Sequence, residues 1–561
     1  MAVADLVFVN GNVVTIDRQF SIQEAIAVKD GWIIDVGRNS DIKRLIGHRT
    51  EVIDLKGKMI MPGAHDAHMH GVQFGVSRPP LSLKLGLPEV KTIDDMRDLL
   101  KKEVQKHPPG TWIRGTGWQL PSLGRLPRKE DFDDISPDHP IIFIDFTLHS
   151  IVVNSKALEV CGINANTPDP YKGHMERDPE TGEPTGVFQE LVAQSMIMKH
   201  MPPLTDEELK IAINYTQQVL NQNGVTSYND SVLGPGGDVF FGGAWGTRAI
   251  HVYKQMQEAG ELNCRVTVGL YLGNEYGEQD YDSVVKCFET LELPEITDKN
   301  WLNIPMFKIF ADGIPPDRSS FMRDNYLGYD HSGSLGLPGA TPEEQADTLF
   351  KLIKLAHSKG YQVAIHATGD RATDLCLEGF IAAIEEYPRQ PLRHYVIHGD
   401  FIDGTWAQKA AKYNIGLSSQ PSNGAFVMDF CEQIVGEKAR RMMGFRELID
   451  AGLNIAGGSD CPVASENWRK GVQACVTRKS AVSGRIFAPE LAISVEEALR
   501  IWTINGAYQE HMETSRGSIE IGKVADFQVL AEDLLTIDKD EIGDVPVELT
   551  VVGGKVVYSA E

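Results

Sequence analysis

The chain has 561 residues, 42% hydrophobic and 24% charged, the balance of a soluble globular protein too long for one compact core. Its 78 acidic and 54 basic residues give a net charge of −24, which opposes nucleic acid and anionic membranes as partners. The 7 cysteines are dispersed with no C-x-x-C pair, no basic leader with an apolar run opens the chain, and no apolar stretch is long enough to span a bilayer. Free thiols in a reducing, cytoplasmic setting are therefore expected.

Near the start, "LVFVNGNVVTI" sets two β-branched runs around Asn10-Gly11, and "AIAVKDGWIIDVG" does the same around Asp30-Gly31. Near the end, "LTVVGGKVVYSA" repeats the scheme around Gly553-Gly554, after the strand-like "ADFQVLAED". All three read as hairpins. A hairpin is marginal alone, so residues 1–58 and 513–561 are expected to share one small β-sandwich beside the main domain.

Residues 62–71 read "PGAHDAHMHG", directly after the apolar "KMIMPG". Strand alternation would point Asp66, His68 and His70 one way and His65 the other. Two imidazoles two residues apart at a strand end form a natural pair of ligands for one cation. A polar loop or satisfied core histidines would give the same motif, so other segments must supply further ligands.

Between the ends, helical and strand-like stretches alternate. "TDEELKIAINYTQQVLNQNG" places Leu209, Ala212, Ile213, Thr216 and Leu220 on one helix face, opened by a Thr205/Glu208 capping box and stopped at Gly224. "TPEEQADTLFKLIKLAHSKG" follows the same scheme from Thr341 to Gly360. Strand candidates fall at 59–66, 225–229, 264–271, 304–311, 361–366, 393–398, 413–420 and 454–460. Eight βα units over 59–512 imply a (β/α)₈ barrel, whose reactive groups lie at the C-terminal strand ends. The long gap over 71–204, with its Pro/Gly-rich stretch and strand-like "PIIFIDF", reads as a subdomain inserted after the first barrel strand, at the active-site mouth.

Those strand ends carry Asp66, His68 and His70 on the first, and Lys308 with Asp312 on the fourth. The fifth ends in His366, the sixth holds His394 and His398, and the eighth ends in Asp460. A barrel brings such ends around one axis, so a metal centre is expected from His68, His70, His366, His398 and Asp460. His398 is preferred to His394 because it lies at the strand's end rather than four residues deeper. Asp66 sits too deep to bind metal and is expected to orient a histidine. Lys308 as an ammonium cannot ligate a cation: either it pairs with a carboxylate such as Asp312, or CO2 converts it to an anionic carbamate. Cys461, next to Asp460, is expected in the core.

The segments "DAHMH", "KIFADG", "AIHATGDRA", "RHYVIHGD", "GGSDCPV" and "GSIEIGKVADFQVL" resemble the amidohydrolase superfamily. With "GTGWQL", "HSIVVNSKALEVCGI" and "GVFQE" in the insertion, the chain is more narrowly similar to the YtcJ-like branch, which includes N-substituted formamide deformylases. The resemblance runs nearly end to end. It implies a metal-dependent hydrolase, a distorted (β/α)₈ barrel with a flanking β-sandwich, and a carboxylated lysine at Lys308. With the carbamate, His68, His70 and Asp460 would hold one ion, His366 and His398 the other, and Lys308 would bridge them. Some superfamily members use one ion and no carbamate. Zinc suits imidazole and carboxylate without redox chemistry; manganese, iron and nickel are alternatives.

The leading expectation is hydrolysis of a C–N bond in an amide, formamide or cyclic amide by metal-activated hydroxide, with Asp460 as general base. Ester, lactone or carbamate hydrolysis and deamination of a ring amidine are alternatives on the same site. A scaffold that had lost catalysis should lack ligands, and all are here. Candidate substrate contacts are Asp312 and Arg318 after the fourth strand, with Trp118, Gln119 and His149 in the insertion. The expected partner is a small molecule, with further copies of the chain as an oligomeric option.

Overall fold

The computed structural model describes residues 3–170, 173–389 and 391–560. Eight parallel strands form one sheet in chain order: β1 (Ala64–Met69), β2 (Val225–Leu233), β3 (Arg265–Leu270), β4 (Leu302–Phe310), β5 (Gln362–Ala367), β6 (Tyr395–His398), β7 (Gly416–Ser419) and β8 (Ile455–Gly457). The sheet curls until the segment after β8 meets β1. There the Asp460 N–H donates to the His68 carbonyl at 2.8 Å, and the His70 N–H donates to the Cys461 carbonyl at 2.8 Å. A glycine is required at this seam, since a Cβ on Gly458 would lie 2.8 Å from the His68 nitrogen. The result is a distorted (β/α)₈ barrel.

The helices that cover it form as their sequences dictate. Helix Asp206–Gln222 opens on the Thr205/Glu208 capping box and buries Leu209, Ala212, Ile213, Thr216 and Leu220 against the barrel. Helix Pro342–Ser358 is capped by Thr341, whose hydroxyl accepts from the Glu344 N–H. Both run directly into the next barrel strand, so the chain returns antiparallel and the sheet stays parallel.

The strand expected over 59–66 divides at Gly63. Met59–Pro62 pairs with Phe527–Leu530 and Asn12–Val14 in an outer sheet, and only Ala64 onward joins the barrel. That outer sheet has six strands from both chain ends, ordered Lys555–Ser559, Val547–Val552, Phe527–Leu530, Met59–Pro62, Asn12–Val14, Ile22–Gln23. A four-stranded sheet of Trp32–Gly37, Ala25–Lys29, Leu6–Val9 and Glu51–Asp54 faces it. Phe8, Ile26, Ile60, Phe527 and Val551 fill the space between them. The turns at Asp30-Gly31 and Gly553-Gly554 are hairpins with positive φ at both residues. The Asn10-Gly11 hairpin is corrected. Leu6–Val9 and Asn12–Val14 belong to different sheets, and the chain crosses between them at Asn10, whose φ is 54°.

Sandwich and barrel are tied by a buried ion pair. Arg265 of β3 meets Asp526 with Nε–Oδ2 at 2.6 Å and Nη2–Oδ1 at 2.9 Å. Residues between β1 and β2 build a separate six-stranded sheet, running from His174–Arg177 at one edge to Leu83–Lys84 at the other. Its own core contains Trp118, Phe132, Ile141, Phe143 and Val187.

Candidate metal centre

β1 carries the first candidate ligands, and its pairing with β2 is interrupted once. Tyr228 of β2 pairs with Asp66 while Asp230 pairs with Met69, a slip of one residue that breaks the period. His68 and His70 face the centre, their Nε2 atoms 3.3 and 3.4 Å from Asp460 Oδ1. His65 turns away, with Nδ1 2.8 Å from Ser227 Oγ and Nε2 3.3 Å from Glu510 Oε1. The Asp66 carboxylate accepts the Ser459 N–H at 2.9 Å and so tethers the segment that carries Asp460. It also accepts the His68 backbone N–H at 3.3 Å; burial pushes its pKa up to about 6.

β5 and β6 bring the remaining histidines. The His366 and His398 ring centroids are 4.5 Å apart, and those of His398 and His68 are 5.6 Å apart. One ligand atom each from His68, His398 and Asp460 lies within 4.8 Å of the others. On β6, Tyr395 and Ile397 pack with Met306 and Ala364 inside the barrel, so alternation alone would turn His398 outward. A left-handed φ of 72° at His398 swings it to the centre, and Asp460 likewise sits at φ 60°. His394 does face outward. Its Nε2 is 2.8 Å from His357 Nδ1, and its ring stacks on Phe380.

Burial, aided by Lys308, lowers the His68 and His366 pKa values to about 3; burial, with His366 adding to it, drives His398 well below its ordinary value. The His68, His366 and His398 imidazoles are therefore neutral, the state a metal requires. The His366 Nε2 lies 3.0 Å from the Gly313 carbonyl, which can only accept, so Nε2 carries the proton and Nδ1 keeps the lone pair for the centre. His70 Nδ1 and Lys308 Nζ are buried without a hydrogen-bond partner among the described residues. Burial lowers the Lys308 pKa to about 7, only partly offset by Asp460. This cluster of neutral imidazoles, one carboxylate and an orphaned amine fits a divalent cation, which would satisfy lone pairs that otherwise oppose one another.

The proposed Lys308–Asp312 pairing is absent, and Asp312 is no substrate contact. Its oxygens accept the N–H groups of Phe321 at 2.9 Å, Thr368 at 3.0 Å and Gly369 at 2.9 Å. Three backbone donors occupy this buried carboxylate. Trp118 is likewise corrected: it is 2% exposed in the insertion's core, and its indole donates to the Phe143 carbonyl. Gln119 is half-buried at the start of helix Leu120–Leu123. His149 is half-buried with Nδ1 3.1 Å from Glu190 Oε2, and a ligand atom from each of His149, Glu190 and Asp317 lies within 4.8 Å of the others. Burial opposes its charge, but Glu190 and then Asp317 raise its pKa to about 9. Arg318, at φ 54°, lays its guanidinium 4.5 Å from the Tyr329 ring centroid, and no carboxylate pairs with it among the described residues. Glu190, Asp317, Gly313 and Ser231 were not anticipated. Ser231 was within reach, because two more residues of β2 at period two from Asn229 point it inward.

The profile of one family, described as the amidohydrolase family, matches residues 51–558. The chain belongs to the amidohydrolase family. As an amidohydrolase it is 30% identical to YtcJ of Bacillus subtilis over 548 residues, 95% of this chain and 96% of that one. It is 26% identical to the N-substituted formamide deformylase of Arthrobacter pascens over 568 residues, 99% of this chain and 98% of that one. An uncharacterized metal-dependent hydrolase from Pyrococcus horikoshii shares the fold, with TM-score 0.73 at 22% identity, covering 95% of this chain and 99% of its own.

Proposed function

We propose that this centre hydrolyses the C–N bond of a small amide, formamide or cyclic amide. The observation that carries the reading is the meeting of Asp460 with the His68 and His70 rings, at 3.3 and 3.4 Å, in a site where burial keeps the His68 ring neutral. His68, His70, His366, His398 and Asp460 are the donors for one or two divalent ions, zinc by preference for this donor set. When bound, such an ion polarises the scissile carbonyl and acidifies a water.

The chain's own groups do the rest. Asp460 takes the proton of the attacking water and delivers it to the leaving nitrogen, which departs as an amine. Lys308 completes the donor set as a carbamate: its amine adds to CO2, forms the N–C bond and releases one proton. A buried amine with no hydrogen-bond partner among the described residues supports that role. At the mouth, Arg318 and His149 are cationic donors for the polar part of the substrate, and Gln119 lies on the same insertion. The free cysteines support a cytoplasmic setting.

The test is a panel of matched N-acyl and ester compounds assayed on the metal-loaded protein. Turnover of amides with inert matching esters supports the reading. Turnover of the esters alone overturns it.

A further inference from the structure

Inside the barrel, one line of hydrogen bonds runs from the centre into the core through residues that bind no cation. His68 Nδ1 lies 2.7 Å from Ser231 Oγ. The Ser231 hydroxyl donates to Asn229 Oδ1 at 3.0 Å, and Asn229 Nδ2 donates to the Tyr395 hydroxyl at 3.2 Å. The Tyr395 O–H then donates to the Met306 thioether at 2.7 Å. Ser231, Asn229 and Met306 are fully buried and Tyr395 is 1% exposed, so no water competes along the line.

We propose that Ser231, Asn229 and Tyr395 are positioning residues that fix the His68 ring with its proton on Nδ1 and its lone pair on Nε2, facing Asp460. The direction follows from which atoms can donate. The line ends on a sulfur, which only accepts, so Tyr395 gives its proton there and receives one from the Asn229 amide nitrogen. Asn229 therefore turns its carbonyl oxygen to Ser231. That oxygen takes the serine proton, and the serine oxygen is left to accept from His68 Nδ1–H. Nε2 is then unprotonated, opposite a carboxylate oxygen that also lacks a proton. Two acceptors 3.3 Å apart are stable together only around a cation. The line acts on His68 alone, since His366 takes its orientation from the Gly313 carbonyl.

The inference rests on His68 being a metal ligand, and the experiment separates the two claims. Zinc affinity would be measured by chelator competition on the full chain for wild type, Ser231→Ala, Ser231→Thr and Tyr395→Phe. Nitrogen-15 NMR of histidine-labelled protein would report the His68 tautomer. The expected result is a loss of zinc affinity of roughly 10- to 100-fold in Ser231→Ala, with near wild-type affinity restored by the hydroxyl of Ser231→Thr. Tyr395→Phe should fall between them, and the wild-type His68 proton should be on Nδ1. Wild-type affinity in Ser231→Ala, or a wild-type His68 proton on Nε2, overturns the relay while leaving the centre intact. Lower melting temperature in every variant with unchanged affinity also overturns it, since that is what mere core packing would give. Absence of zinc binding by the wild type would instead remove the centre itself.

Discussion

Replacing His394 by glutamine tests whether this histidine is a structural strut, as its outward position indicates. The Val363 N–H donates to His394 Nδ1 at 2.9 Å, so the ring's proton is on Nε2 and goes to His357 Nδ1 at 2.8 Å. His357 then donates from Nε2 to the Tyr387 carbonyl at 2.9 Å. Every ring nitrogen is used with both imidazoles neutral, and a further proton has nowhere to go. Burial, with His357 and Arg389 adding to it, lowers the His394 pKa to about 3. The unfolded chain restores the ordinary value of about 6.5. A histidine with a depressed folded pKa contributes stability that is present above the unfolded pKa and is lost as pH falls below it. Between pH 7 and pH 5 the unfolded ring gains its proton and the folded ring does not, a loss of about 2 kcal/mol. Urea unfolding of wild type and His394→Gln at both pH values isolates the contribution of the hydrogen-bonded His394–His357 pair, because more distant groups cancel in the difference. The wild type should lose about 2 kcal/mol more than the variant over that range. Equal losses in the two proteins would refute the assignment.

Other perturbations report on the centre and its frame. Lys308→Ala should cut turnover at least roughly 100-fold and reduce bound metal, with partial rescue by short carboxylates that replace the carbamate; undiminished turnover would exclude the carbamate. His149, its pKa raised to about 9, is cationic below that value and loses its charge above it, so kcat/KM should fall as pH rises through about 9. That limb should be absent in His149→Gln. Asp526→Ala strands Arg265 as a buried unpaired cation and should cost about 3–5 kcal/mol in unfolding experiments, without changing metal content in the folded protein.

Much of the barrel was legible because each βα unit repeats the same physics: a capping box, an apolar helix face, a glycine stop and a short β-branched strand. The side chains that converge were legible for a related reason, since His68, His366, His398 and Asp460 all fall at or just past strand ends. What sequence periodicity could not show was the backbone leaving its regular geometry. The slip between Asp66 and Met69 interrupts the two-residue alternation of β1, although His65 still turns away from the side that His68 and His70 face, as alternation gives. The left-handed turn at His398 reverses its face, so depth along the strand, and not alternation, pointed to the histidine that meets His366 and His68. Asp312 and Trp118 misled because polar and aromatic residues near a mouth look like ligand contacts. Whether their polar atoms are already spent on backbone groups, as they are here, depends on segments distant in sequence, Phe321 to Gly369 for one and Phe143 for the other. The Asn10-Gly11 turn failed because a hairpin dipeptide also suits a crossing between two sheets.

The most direct examination of the centre is anomalous X-ray diffraction from crystals of the protein grown with zinc, recorded on both sides of the metal absorption edge. Density should appear between the His68 and His70 Nε2 atoms and Asp460, with any second peak beside His366 Nδ1 and His398. Zinc bound only elsewhere, or these side chains closed on one another with no anomalous signal among them, would contradict the account.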